Sequence, residues 1–359
     1  MGHLDRREFL IGTTGVLGAA VVAPHIAHAV RAQPGNWSEE KLAAFTKKAR
    51  ELGVLGLVCL ADGKTIVSDG EVSRPLRIAS VRKSVLNALF GIAMTRQAIK
   101  LDATIAEMGI DDYSPLTEVE RQATVRDLFK ARSGIYISAA AETPAMRAAR
   151  PKRGSHAPGT FWYYNNWDFN VLGEIYQRVT GHSFYTAVEH ELAGPLGWRD
   201  FDPMRDARYQ YQADAPRFPA YNLSMSARDL ATLGQLYLDR GLVNGKPLVS
   251  ANWVAESTTM YSTTGRKGIE GGYGYLWWGA TDKDGADPAG IPLGSYTAAG
   301  NGGRYVVVLP SVRAVIAIQP NEQAGQPPVP LYANVEAGSL DGLIRAFLEA
   351  HQPASKTGG

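Results

Sequence analysis

The chain has 359 residues, 45% of them apolar and 20% charged, with a formal net charge of +2. That balance describes a globular protein with a sizeable core, excludes bulk disorder, and shows no long basic block of the kind that binds nucleic acid. One cysteine, Cys59, leaves no intramolecular disulfide and no cysteine-based zinc cluster. A small-molecule or peptide substrate is the expectation that follows, with no cofactor and no metal. From the N-terminus, Asp5-Arg6-Arg7-Glu8-Phe9-Leu10 precedes a weakly apolar run, Ile11 to Ala23, and Ala27-His28-Ala29 offers small residues at a cleavage spacing. Residues 1–29 therefore read as a twin-arginine export signal, too short and too glycine-rich for a bilayer-spanning helix. Its removal takes away two arginines, one aspartate and one glutamate, and leaves a periplasmic or secreted protein with no stable membrane anchor.

Ser38 to Leu52 reads as a helix, with Ser38 as N-cap, Glu39 and Glu40 in the first turn and a Trp37–Leu42 staple. Val54 to Ala61 and Lys64 to Ser68 flank Asp62-Gly63, a hairpin turn, and Cys59 falls inside the first of these apolar strands as a core thiol. Next comes Ser80-Val-Arg-Lys83 at the start of an apolar, helix-like run to Met94. On a helix, residues three apart are neighbours, so the Lys83 amine lies within reach of the Ser80 hydroxyl, and the helix N-terminus favours developing negative charge. The pattern occurs at chance level, and Ser38-Glu-Glu-Lys41 is a second copy that helix capping explains.

From 101 to 264 helical patterns dominate: Thr124 to Ala131, Phe169 to Val179 and Ser226 to Leu238. Strand patterns return with Tyr273 to Trp278, then Arg304 to Leu309 and Arg313 to Gln319 around Pro310-Ser311-Val312. Leu340 to Glu349 is an amphipathic helix suited to cover a sheet face. The expected fold is α/β (α+β), an antiparallel sheet flanked by helices. The sheet domain is discontinuous (30–100 and 265–351), the mainly helical subdomain is an insertion (101–264), and 352–359 form a disordered tail.

A second informative stretch is Pro158-Gly159-Thr160-Phe-Trp-Tyr163-Tyr164-Asn165-Asn166-Trp-Asp-Phe169, a loop delivering Tyr and Asn to a helix start. Two registers, Tyr163 with Asn165 and Tyr164 with Asn166, satisfy the same spacing. Together with Ser80-Val-Arg-Lys83, Thr124-Val-Arg-Asp-Leu-Phe-Lys-Ala-Arg-Ser133-Gly134, Gly194-Pro-Leu-Gly-Trp198 and Leu223-Ser-Met-Ser-Ala-Arg-Asp-Leu230, it resembles the serine β-lactamase and penicillin-binding-protein superfamily. The likeness is to the class C-like branch of β-lactamases, D-amino-acid peptidases, esterases and 6-aminohexanoate-dimer hydrolases.

The resemblance implies that Ser80 attacks a carbonyl, that Lys83 and Tyr164 share the proton transfers, and that Asn166 orients Lys83 or the substrate. The family spacing to Phe169 and Leu172-Gly173 selects Tyr164 and Asn166. The third family motif is a basic residue, Thr or another residue, then Gly on an inner strand. Here its place is taken by Gly300-Asn301-Gly302-Gly303-Arg304, which keeps the glycines without the leading cation. The literal Lys356-Thr357-Gly358 sits in the polar tail with no strand behind it. An oxyanion hole from the N–H groups of Ser80 and Gly303 is expected, with Gly300, Asn301 and Gly302 beside the substrate. Without that cation the expected substrate is a neutral amide or ester. The alternatives are a β-lactamase or D-amino-acid peptidase, and a noncatalytic relative that binds peptidoglycan fragments.

Trp162, Tyr163, Trp167, Tyr221, Trp277 and Trp278 are candidates for an apolar acyl pocket, with core packing the competing role for each. Substrate choice is expected from loops 136–160, 199–222 and 260–300. No Gly-x-Ser-x-Gly elbow or His-Glu-x-x-His helix is present, His156 reads as a loop residue, and Gly241 to Pro247 as a hairpin turn.

Overall fold

The computed structural model describes residues 35–96, 99–211, 217–321 and 340–353, all within one compact unit. The export-signal reading of residues 1–29 and the tail from residue 354 lie outside the described residues. An eight-stranded antiparallel sheet runs in the order Lys64–Gly70, Val54–Ala61, Ala314–Pro320, Arg304–Leu309, Tyr296–Gly300, Trp278–Gly279, Gly272–Tyr273, Ser262–Thr263. Strands from both ends of the sequence thus meet at its centre, where Ile316 pairs with Cys59 and Val307.

Side chains on a strand alternate between faces, and here both faces are covered. Leu57, Cys59, Tyr305, Val307, Ile316 and Ile318 point to one side, packed on Phe45 of helix Glu39–Glu51 and on Leu343, Ile344 and Phe347 of helix Leu340–Ala350. Val58, Leu60, Val306, Val308, Val315 and Ala317 point to the other, among residues of helices Val81–Thr95 and Ala227–Leu238. Double coverage explains why these strands read as continuous apolar runs. Gly234 lets the second helix lie close to the sheet, because a Cβ there would sit 2.5 Å from a Val315 methyl. Each fully buried Leu, Ile or Phe in these layers contributes about 1.5–3 kcal/mol.

Three differences from the sequence expectations stand out. Tyr273 to Trp278 is two short strands, Gly272–Tyr273 and Trp278–Gly279, folded back on each other. Leu276, at φ +62°, makes the reversal, a left-handed conformation that no strand pattern announces for leucine. The stretch 101–264 also contributes to a second sheet, in which Ala220–Met225 pairs with both Leu76–Arg77 and Ala207–Gln210. These strands are short or polar, so their pattern is faint in sequence. Finally, His351–Pro353 pairs with Gly35–Trp37, so strand structure takes in the first two residues of the expected tail.

Candidate active site

The chain leaves strand Leu76–Arg77 and enters helix Val81–Thr95 within three residues. Ile78, fully buried, donates its N–H to the Leu223 carbonyl at 2.9 Å, and Ala79 then turns at φ +47°. A left-handed alanine is strained, and the surrounding packing holds it there. Ser80 follows in helical conformation, φ −75° and ψ −9°, and its hydroxyl caps no backbone group. The helix behind it is buried at every position from Val81 to Ala93, as a core helix is.

Lys83 is 2% exposed, and its Nζ lies within hydrogen-bond distance of Ser80 Oγ at 3.1 Å, Tyr164 OH at 2.6 Å and Asn166 Oδ1 at 2.9 Å. The rings of Tyr164 and Phe169 lie 4.1 and 4.3 Å from the amine. All three hydrogen-bond partners are uncharged. Burial first, and then the positive charge of Arg82, hold the lysine well below its ordinary pKa, toward the neutral amine. Burial pushes the Tyr164 phenol up, partly opposed by its hydrogen bond with Ser80 and by Arg82.

These states have a chemical consequence. Asn166 Nδ2 donates to the Ala141 carbonyl at 2.8 Å, which fixes its Oδ1 as the acceptor facing Lys83. A neutral amine that donates to this oxygen keeps a lone pair for a hydroxyl proton, from Ser80 or Tyr164. The arrangement can therefore take a proton from the serine and pass one through the tyrosine.

The Tyr-Asn loop is held by a buried polar network. Ser133 Oγ donates to Asp168 Oδ1 at 2.6 Å, and Asn165 Nδ2 donates to the same oxygen at 2.8 Å and to the Ile135 carbonyl at 2.7 Å. Asn165 Oδ1 also caps helix Asn166–Thr180 through the Trp167 N–H at 3.2 Å. Tyr163 OH donates to the Met146 carbonyl at 2.8 Å. Tyr163 and Asn165 thus support the loop, while Tyr164 and Asn166 reach Lys83. Gly134 belongs to this frame: at φ +72° its Cβ would sit 2.6 Å from the His156 carbonyl.

Ser80, Tyr164 and Asn166 line a cavity of about 430 Å³, together with Arg77, Arg82, Glu142, Gln210, Asn222, Arg266, Glu270 and Trp278. All three expected loops contribute to its wall. From the inner strand, Ala299, Gly300 and Asn301 line it; Gly302 and Gly303, at φ +87° and +89°, form the turn beyond. Gly300 lies hard against the serine segment, since a Cβ there would be 2.5 Å from the Ile78 carbonyl. Of the six aromatic candidates only Trp278 lines the cavity. Trp167, Trp277 and Tyr221 are core residues, and Trp162 packs edge-on against Trp278. His156 stacks on Phe161 away from the cavity.

The motif's leading cation is absent, as the sequence reads, but the wall carries arginines from other positions. Arg304 is buried, with Nη1 donating to the Asn301 carbonyl at 2.6 Å and Nε to that of Arg77, so it clamps the inner strand to the serine segment. Arg266 pairs with Glu270 and stacks on Trp278 at 4.7 Å. Arg77 and Arg82 arrive from the second sheet's edge and from the helix. The sequence does not announce that these arginines share one wall, because Arg77, Arg82 and Arg266 lie on other elements than the motif.

Comparisons with known proteins follow the same line. The family model described as Beta-lactamase matches residues 72–337. The 6-aminohexanoate-dimer hydrolase of Paenarthrobacter ureafaciens is 31% identical over 148 residues, 39% of this chain; the aligned segment spans only 36% of that protein. Among solved structures, a penicillin-binding protein homologue from Caulobacter crescentus superposes with a TM-score of 0.62 at 16% identity, covering 88% of this chain and 99% of the other. EstCE1, a hydrolase with promiscuous acyltransferase activity, does so at 0.56 and 16%, covering 87% and 97%. These two likenesses establish the fold, and the profile match establishes the lineage: the chain belongs to the beta-lactamase family of hydrolases.

Proposed function

We propose that this chain is an exported serine hydrolase that cleaves an amide or ester through an acyl-enzyme on Ser80. The observation that carries the reading is the Lys83 amine, buried among uncharged partners and 3.1 Å from a serine hydroxyl that opens on the cavity. In this mechanism the Ser80 proton passes to Lys83 as Oγ bonds to the substrate carbonyl carbon. The bond to the leaving nitrogen or oxygen then breaks as Tyr164 gives it a proton and takes one from Lys83. Water reverses the sequence to release the acid and free Ser80.

The oxyanion is placed between the Ser80 N–H, at the helix N-terminus, and the N–H of Ala299 in place of Gly303. Support comes from strand alternation. Ala280 N donates to the Ser295 carbonyl, so by the two-residue period the main chain of Ala299 faces the same edge. The strand Trp278–Gly279 covers that edge only as far as Thr297.

Labelling with a fluorophosphonate tests the reading: wild type gains a covalent adduct that Ser80→Ala does not, and absence of any adduct under all conditions sinks it. Screening p-nitrophenyl esters, nitrocefin, D-amino-acid amides and aminohexanoate dimers side by side assigns the acyl class. The export reading of residues 1–29 is tested by fractionation, where Arg6→Lys with Arg7→Lys is expected to trap the precursor in the cytoplasm.

A further inference from the structure

We propose that Asp341, on the helix at the far face of the sheet, is a positioning residue that sets leaving-group selectivity by fixing loop 264–271 against the cavity. The inference deepens the hydrolase reading and rests on it for the leaving group.

Loop 264–271 belongs to both faces of the sheet. Its ends are joined, the Thr264 N–H donating to the Gly271 carbonyl at 3.0 Å and Thr264 Oγ1 to the Glu270 carbonyl at 2.6 Å. Arg266 and Glu270 line the cavity, whereas Ile269 is 1% exposed in the core that holds Leu343, Ile344 and Phe347 of helix Leu340–Ala350. One short segment thus carries a cavity wall on one side and a core residue on the other.

Asp341 ties that segment to the helix. Its Oδ1 accepts the Ile269 N–H at 3.0 Å, and a Cβ on Gly268, at φ +65°, would lie 1.8 Å from its Oδ2. Any side chain at 268 would take the space the carboxylate occupies. One turn along the helix, Arg345 Nη1 donates to the Ala289 carbonyl at 2.8 Å. The Asp287 carbonyl, two residues before, accepts the Gly268 N–H at 2.9 Å, and Lys267 pairs with the Asp287 side chain at 3.1 Å. The Asp341 charge also reaches the cavity wall. Burial pushes the Glu270 carboxyl above its ordinary pKa, Arg266 opposes the rise and Asp341 adds to it.

The part of the substrate that this wall meets follows from Tyr164, which protonates the leaving atom in the proposed mechanism. The Trp278 ring lies 5.1 Å from the Tyr164 ring, and the Arg266 guanidinium stacks on Trp278 at 4.7 Å. The wall therefore continues from Tyr164 on the leaving-group side. Ser80, Lys83 and Tyr164 are held by other elements, so releasing loop 264–271 changes contacts to the leaving group without moving the reacting side chains. A misplacement of about 1 Å is enough to register in rates.

The test sets phenyl acetate against 4-methylumbelliferyl acetate, with p-nitrophenyl acetate against p-nitrophenyl butyrate as the acyl control. Asp341→Leu is expected to lower kcat/KM for the larger leaving group relative to phenyl acetate by about fivefold or more, through KM, with the acyl ratio unchanged. Asp341→Asn, whose amide oxygen still accepts the Ile269 N–H, is expected to keep the wild-type ratio. Gly268→Ala attacks the same contact from the loop side and is expected to reproduce Asp341→Leu, with the double variant no worse than either alone. Amide hydrogen exchange in 264–271 is expected to speed up in both single variants. An unchanged leaving-group ratio in both, or a fall in kcat shared by all the esters, overturns the proposal and leaves the hydrolase reading intact. If wild type cleaves no ester and forms no fluorophosphonate adduct, the hydrolase reading fails and takes this one with it; the missing adduct tells the two failures apart.

Discussion

Ser38 and Ser80 each begin a helix and each precede a lysine by three residues, yet the two pairs do opposite things. At Ser38 the backbone is extended, ψ 116°, and the hydroxyl accepts the Lys41 N–H as an ordinary N-cap. Lys41 is exposed, and its amine reaches the Glu349 carbonyl at 3.0 Å. At Ser80 the backbone is already helical, ψ −9°, because the left-handed Ala79 makes the turn one residue earlier. The hydroxyl is thereby released from capping and left to the buried amine of Lys83. Identical spacing yields a structural cap in one place and a proposed nucleophile in the other, and the difference lies in one dihedral angle and in burial.

The comparison can be broken most directly by removing each hydroxyl in turn. Ser80→Ala is expected to lower ester hydrolysis by about 10³-fold or more and to abolish fluorophosphonate labelling, with Ser38→Ala retaining both. Equal losses in the two variants would contradict it. For the lysines, Lys83→Met is expected to reduce kcat by about 10²–10⁴-fold, and Lys41→Met to leave it near wild type. Gly300→Ala probes the packing that presses the inner strand onto Ile78 and Ser80. Its new methyl would meet a backbone carbonyl at 2.5 Å, and the displaced strand is expected to lose about 10–10²-fold in kcat/KM at unchanged Lys83 chemistry.

A smaller and sharper effect concerns pH. The proposed mechanism needs neutral Lys83, whose pKa is depressed by burial and by Arg82. The rate therefore rises with pH through that lowered pKa and is lost as pH falls below it. Removing the Arg82 charge favours the ammonium, so Arg82→Met is expected to move the acid limb of kcat/KM to higher pH on a neutral ester; an unmoved limb would remove Arg82 from the tuning of Lys83. The smallest effect returns to the cap. Ser38→Ala is expected to cost about 1 kcal/mol in urea unfolding, while Ser80→Ala, which loses no cap, costs less through that route.

Much of this was legible before folding because the signals are local. Apolar runs long enough for a two-sided sheet, the Pro-Gly loop before Asn166, and the family spacing that selected Tyr164 over Tyr163 all survive in the structure. What escaped depended on directions that spacing does not encode. Leu276 reverses the chain against its own propensity, and the polar strand Ala207–Gln210 carries Gln210 to Arg77. In the sequence Arg82 is only the residue before Lys83. That it also lines the cavity follows from where helix Val81–Thr95 lies against Tyr221, a tertiary fact.

Cys59 carries a practical consequence. It is completely buried in a strand paired on both sides, and burial pushes its thiol up, away from the reactive thiolate. As the chain's only sulfhydryl, it turns the protein into its own opening gauge. The rate at which an aromatic disulfide reagent modifies it in the native state measures how often the central sheet comes apart. A ligand that tightens the fold should slow that modification in proportion to its occupancy.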